Sequence, residues 1–272
     1  MPLMIDVGVG NSLIMFKGEP GTRKSTTALS YPKPQYWFSY DKKMSSLLIP
    51  MRNWNIDKKD VEFDDYNDWN KAKAKLEKFQ INCNMSDGRK IATIVLDSIT
   101  TMGDAVNQQT LNTKKGTTRK DGSDAGKMIG GIQINSLEDY NAETAAFQEL
   151  LALVTDIISY HKTVSVILIA HVLQTEYKNS ANGESTFSRT IVTGGKKAAA
   201  KIPAYCTEIY HFQSSSTISG GAQGFKAFTM HTGDDFARTA IPLASVIEFK
   251  AEPFYDTVIL PAIDKLRNGK VF

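Results

Sequence analysis

The sequence predicts an α/β protein: a mostly parallel central sheet flanked by helices, with antiparallel strands added at the C-terminal side. Three observations point there. Apolar runs of strand length alternate with helix-period segments over the first 170 residues. After that point strand-like runs follow one another without clear helices between them. The run from Val164 to Ala170 (VSVILIA) is β-branched and nearly continuous, as a strand covered on both faces requires.

The elements follow in order. Leu13, Ile14, Met15 and Phe16 form a short apolar strand that stops at a Gly-Pro turn, and a helix starts near Lys24. Residues 36–40 (YWFSY) read as a second strand ending at Asp41, and residues 68–81 as a helix. Residues 91–96 (IATIVL) form a third strand, ending at Asp97 and Ser98. Residues 111–136 are rich in Gly, Thr, Ser and Lys and predict a long flexible loop. A strong helix is expected over about 138–161, where Phe147, Leu150, Leu151, Val154, Ile157 and Ile158 recur at spacings of three and four. The strand 164–170 leads into a second flexible loop, about 174–195, and residues 196–201 (KKAAAK) suggest a short helix. Strands at 204–213, 225–232 and 245–250 and a helix at about 253–267 complete the chain. No repeat or linker interrupts the pattern, so residues 1–272 are expected to form one domain.

Composition narrows the function. The 272 residues are 42% hydrophobic and 22% charged, as in a globular protein with a packed core. A formal net charge of +3 is too mild for nucleic-acid affinity from bulk charge, so any basic surface must be local. Cys83 and Cys206 make neither a CxxC pair nor a disulfide framework, which suits a reducing cytoplasm. The four histidines lack metal-ligand spacing. No apolar run approaches the ~18 residues of a membrane span, and the first residues carry no basic leader, so neither membrane insertion nor secretion is expected.

The chemistry concentrates at strand ends. Gly18, Glu19, Pro20, Gly21, Thr22, Arg23, Lys24 and Ser25, followed by Thr26, nearly fit G-x-x-x-x-G-K-S/T. Backbone N–H groups of such a loop curl around phosphate oxygens, with the start of the next helix behind them. Lys24 would reach the terminal phosphates and the Ser25 hydroxyl would hold Mg²⁺. Arg23 stands where the motif has its second Gly. It is expected to keep the fold only with an ordinary φ and an outward side chain. Asp97, ending an apolar strand, fits the Walker B acid that holds Mg²⁺ through a water; an Asp capping the next helix is the alternative. Asp41 is the candidate for positioning the attacking water, against a plain turn residue. His171, after the strand 164–170, is a candidate γ-phosphate sensor, against a satisfied boundary histidine.

In their order along the chain these motifs resemble the RecA-type recombinase core. Residues 96–100 (LDSIT) are similar to its Walker B segment. Thr193, Gly194 and Gly195, with the helix after them, are similar to the end of its second DNA-binding loop. The short length and residues 41–48 (DKKMSSLL) are closer to compact phage-encoded RecA-like ATPases of single-strand annealing, the Sak group. The resemblance spans about residues 12–213. It implies ATP and Mg²⁺ as cofactors, single-stranded DNA as partner and a homo-oligomer, ring or filament, in the host cytoplasm. It also implies contact with phage recombination proteins and a basic residue supplied in trans, for which Lys226 and Arg238 are candidates and exposed salt bridges the alternative. The sequence departs from RecA in lacking a long N-terminal helical arm, in having Asp41 where a Glu stands and His171 where a Gln stands.

The same resemblance puts both loops on DNA, and their charge agrees. Residues 113–127 carry Lys114, Lys115, Arg119, Lys120 and Lys127 against Asp121 and Asp124, enough to account for the formal excess of the chain. Residues 172–197 carry Lys178, Arg189, Lys196 and Lys197 against Glu176 and Glu184, with Tyr177 and Phe187 available to stack on bases. The expected function is a DNA-stimulated ATPase whose nucleotide state sets its affinity for single-stranded DNA. The rivals are a nucleotide-binding structural or loader module with little hydrolysis, and a small-molecule kinase.

Overall fold

The computed structural model describes residues 12–114, 127–129, 132–134, 139–178, 185–193, 196–215, 224–231, 236–250 and 252–268. Eleven strands alternate with seven helices among them. They are β1 (Leu13–Gly18), α1 (Lys24–Leu29), β2 (Gln35–Ser39), α2 (Leu48–Asn53), β3 (Val61–Asp65), α3 (Trp69–Ile81), β4 (Thr93–Asp97) and α4 (Ile99–Lys114). Next come β5 (Lys127–Ile129), β6 (Ile132–Ile134), α5 (Asp139–Tyr160), β7 (Ser165–Lys178), β8 (Ser185–Ile191) and α6 (Lys196–Tyr205). The last are β9 (Glu208–Ser215), β10 (Gly224–Phe228), β11 (Val246–Phe249) and α7 (Leu260–Arg267).

The main sheet runs in the order β11-β10-β9-β1-β7-β4-β2-β3. From β9 to β3 every pairing is parallel, while β10 and β11 join antiparallel. The predicted architecture is thus the observed one.

Both faces of the central strands are apolar because both are covered. Leu13 and Met15, Tyr36 and Phe38, Ile94 and Leu96, and Val166, Leu168 and Ala170 pack into one cluster with residues of α3, α4, α5 and α6. The alternate residues Ile14, Phe16, Trp37, Val95, Ile167 and Ile169 pack on the other face with α1, α2, α7 and the β10–β11 extension. A period-two strand between two helical layers needs such unbroken apolar runs.

Several expectations change. Residues 111–136 are not one long loop: α4 continues through Lys114, and β5 and β6 form an antiparallel hairpin. Residues 174–195 are not simply a loop either, because β7 runs on to Lys178 and pairs antiparallel with β8. Cross-strand hydrogen bonds make that hairpin, and a polar, Gly-containing composition conceals them. The strand expected from 204 begins at Glu208, because the Ala-rich α6 extends to Tyr205. The final helix opens with a π turn, Tyr255–Ile259. The charged β3 (VEFDD) is a further strand that the sequence reading lacks; among the described residues it pairs only with β2, at the edge of the sheet.

Phe16 is fully buried and meets Tyr31, Tyr210 and Phe212 edge-on, at centroid distances of 5.6, 5.8 and 5.0 Å. Replacing Phe16 with Ala is expected to cost about 3–5 kcal/mol of stability, measured by urea unfolding, because this rigid aromatic cluster cannot collapse into the cavity.

Candidate functional site

Three strand ends, those of β1, β2 and β4, meet at one edge of the sheet beside the middle of β7. Gly18, ending β1, lies opposite His171 of β7 and Phe212 of β9. Asp97, ending β4, lies opposite Ile169 of β7 and Ser39 of β2. Just past β2, the N–H groups of Tyr40 and Asp41 both donate to the Asp97 carbonyl, at 2.7 and 3.2 Å. Residues 20–26, Asp41, Lys43, Ser46, Asp97, Ile169 and His171 consequently line one cleft of about 260 Å³. Open parallel sheets bind ligands at this edge.

The loop between β1 and α1 is held tightly. A side chain at Gly18 would put its Cβ 2.3 Å from the Phe212 carbonyl oxygen, so the close approach of β9 requires glycine. Thr22 Oγ1 donates to Glu19 O at 2.8 Å. Lys24 Nζ donates to the carbonyls of Gly18 and Glu19 at 2.8 and 2.7 Å. Burial lowers the Lys24 ammonium to about 8, against the pull of Asp97, Asp41 and Glu19. A buried cation of this kind favours an arriving phosphate, which restores the charged form.

Arg23 corrects an expectation. Its φ is 64°, in the left-handed region, so the backbone keeps the conformation that glycine would give the loop. The side chain does point away from the loop. Its guanidinium lies 4.8 Å from the centre of the Phe225 ring on β10, and Nη1 donates to Lys250 O at 3.1 Å. These contacts offset the strain of a non-glycine residue there.

The two carboxylates are tuned apart. Asp41 is partly buried, which opposes ionisation, but hydrogen bonds from His171, Thr101 and Ser98 outweigh burial and hold it well below the usual carboxylate range. Ser98 Oγ donates to Asp41 Oδ1 at 3.0 Å, Thr101 Oγ1 donates to the same oxygen, and His171 Nε2 lies 3.5 Å from Oδ2. Asp97 goes the other way. Burial pushes it up to about 6 despite a hydrogen bond from Ser25 and the Lys24 charge, and the Asp41 charge adds to the push. Such divergence marks sites built for a charged ligand. A buried carboxyl that ionises reluctantly, bonded to the Ser25 hydroxyl, is a donor set that fits a hard divalent cation such as Mg²⁺.

Thr100 and Thr101 were missed as site residues; Ser98, a helix cap or a ligand by sequence, joins them. Ser98 Oγ accepts from Thr101 N at 3.2 Å and so caps α4 while bonding Asp41. Thr100 Oγ1 accepts from the His171 N–H at 3.0 Å. The signal was present as three hydroxyls within four residues of Asp97.

The other candidates lie elsewhere. Lys226 pairs with Glu248 at 3.0 Å. Arg238 donates to the carbonyls of Pro203 and Ala204, both at 3.1 Å, and of Cys206, closing the C-terminal end of α6 within its own chain. Arg189, on β8, donates to Gln174 Oε1 at 3.1 Å. Lys115, Arg119 and Lys120 lie outside the described residues, as do the side chains of Lys114, Lys127, Lys178, Lys196 and Lys197.

Fold and site together define a P-loop ATPase-type core with RecA-like strand order, the class in which a triphosphate is gripped by the loop after β1. The chain belongs to the AAA_24 family, described as an AAA domain, which it matches over residues 11–235. Family membership implies nucleotide binding. Among curated proteins there is no match. Among solved structures the chain is similar to the flagellar accessory protein FlaH from Methanocaldococcus jannaschii. That pair has 13% identity and a TM-score of 0.46, covering 90% of this chain and 87% of that one. It is also similar to a KaiC-like protein from Pyrococcus horikoshii OT3, with 9% identity and a TM-score of 0.43, covering 88% and 90%. Among the described residues no helix is long and apolar enough to cross a membrane.

Two expectations test this geometry. Arg23→Ala keeps the left-handed strain and loses both contacts, whereas Arg23→Gly loses the contacts but relieves the strain. The alanine variant should therefore be less stable than the glycine variant by about 1 kcal/mol in urea unfolding. For Asp97, an unfolded value near about 3.9 and a folded value of about 6 mean that the fold holds the proton more tightly than the unfolded chain. Between about pH 4 and 6 the ligand-free protein should thus lose stability relative to Asp97→Asn, by about 1.4 kcal/mol per pH unit, with no further change above pH 6.

Proposed function

We propose that this protein binds Mg-ATP in the cleft, hydrolyses it, and uses the state of the terminal phosphate to set its grip on single-stranded DNA. The setting we infer is phage-type recombination or annealing in a host cytoplasm, with the chain acting as a ring or filament of identical subunits. The observation that carries the reading is the position of His171. Its ring is on Asp41 at the cleft, and the very next residue, Val172, opens the β7–β8 ladder opposite Ile191. The Val192 N–H donates to the His171 carbonyl at 2.8 Å, so both strands of the hairpin are tied to the sensor position. The hairpin carries Lys178 and Arg189, and α4 leads into the basic residues 115–120.

The residues divide the work. The main-chain amides of the loop and Lys24 bind and orient the phosphates. Ser25 and Asp97 would hold Mg²⁺, which neutralises phosphate charge when bound. Asp41, ionised and fixed by three donors, orients a water rather than abstracting its proton, because so weak a base takes a proton poorly. His171 turns with the phosphate and moves the root of the hairpin. The engagement of both Asp41 oxygens also favours a second reading, in which nucleotide is bound with little turnover and serves a structural or loading role.

The test is fluorescence anisotropy of a labelled oligonucleotide, with and without Mg-ATP, alongside ATP turnover. Nucleotide is expected to tighten DNA binding about 5–150-fold, and DNA to stimulate turnover. Lys24→Ala should abolish both responses. Unchanged affinity in protein that demonstrably binds ATP would overturn the coupling, and binding without turnover would select the second reading.

A further inference from the structure

Behind the wall of the nucleotide cleft lies a second one, of about 390 Å³, lined by Tyr40, Lys42, Tyr66, Asn67, Thr101, Asp104, Ala105, Gln108 and Asn112. That volume lies within the range of small-ligand sites, about 300–1,000 Å³. The wall is the segment 40–43. Asp41 and Lys43 line the nucleotide cleft, and Tyr40 and Lys42 line the other. Lys42 sits at φ 54°, a left-handed conformation for a lysine. Strain of this kind persists where surrounding structure imposes it, and it concentrates at functional positions.

The chemistry of the second cleft is specific. Asp104, Gln108 and Asn112 are spaced by four along α4, so they share one exposed face. Asn67 adds a third amide from the turn after β3. Lys42 and Asp104 oppose each other in sign, which leaves the lining without the cationic excess a phosphate would need. Tyr66 and Tyr40, with ring centroids 5.9 Å apart, are buried beneath it. The Tyr40 hydroxyl is buried and has no hydrogen-bond partner among the described residues. Buried hydroxyls normally have one, so a partner from a ligand or water is called for. Three amide side chains beside a buried, unpartnered tyrosine hydroxyl match the neutral, hydrogen-bonding edge of a nucleobase.

We infer that this cleft receives a base of the bound single strand, and that its occupancy reaches the nucleotide site through Thr101. The inference rests on the DNA reading above and assigns that reading a base-contacting site. Two features connect the cleft to the rest. Thr101 lines it while its hydroxyl donates to Asp41, so a base seated against α4 acts on the group that orients water. Beyond Asn112 the chain runs directly into Lys114, Lys115, Arg119 and Lys120. Those are the residues to which the DNA reading above assigns the phosphates.

The experiment compares a 20-nucleotide oligothymidine with an abasic tetrahydrofuran oligomer of equal length, both labelled, in the presence of Mg-ATP. The wild-type chain should bind the oligothymidine at least about tenfold more tightly, as one seated base predicts, and only the oligothymidine should stimulate ATP turnover. The double variant Gln108→Ala/Asn112→Ala, on an exposed helix face, should bind both oligomers alike at the abasic affinity. Its DNA-free turnover and melting temperature should match the wild type. This variant separates the cleft from stacking on the hairpin. Equal affinity of the wild type for both oligomers overturns the cleft and leaves the DNA reading standing, as does a double variant that still discriminates. Absence of binding to either oligomer overturns both.

Discussion

The site depends on the register with which β7 lies between β1 and β4. That register sets Gly18 opposite His171 and Asp97 opposite Ile169. In a parallel sheet the carboxyl ends all point one way, so a single register brings the phosphate loop, the acid and the histidine to one edge. A slip of one residue would turn Ile167 and Ile169 from one helical layer to the other and carry His171 off Asp41. Both faces are apolar, so it is the fit of particular side chains, such as Phe16 against Tyr31, Tyr210 and Phe212, that opposes the slip. The core and the site are therefore held by the same packing.

Electrostatics then differentiates residues that topology merely collects. Asp41 and Asp97 lie close enough to feel each other, yet hydroxyls and His171 surround one, and burial dominates the other. The first stays ionised and organises its neighbours. The second resists ionisation. Lys24, weakened by burial, adds a third group whose charge a ligand would restore. Perturbed groups gathered in one cleft mark it as a candidate ligand site.

Arg23 shows how a motif can be altered without losing its geometry. The loop keeps a left-handed residue at the place of the second glycine, and the β10–β11 extension supplies what glycine would have made unnecessary. The antiparallel strands at the C-terminal side thus touch the phosphate loop itself. Arg238 is drawn the same way into its own chain, where it closes α6.

Much was legible in the sequence. The alternation of apolar runs and helical stripes determined the α/β class, and residues 18–26 carried the phosphate-loop motif, because local hydrogen bonding and burial leave local patterns. The β7–β8 hairpin and the end of α6 were hidden because a polar composition and Pro203 mask local hydrogen bonding. The edge strand β3, Arg23 at positive φ and the hydroxyls around Asp41 were hidden because their partners lie elsewhere in the chain. Local composition by itself determined most of the elements and the phosphate-loop motif. Tertiary structure alone decided which strand ends meet and which carboxylate keeps its charge, because those depend on through-space register and burial that no single segment encodes.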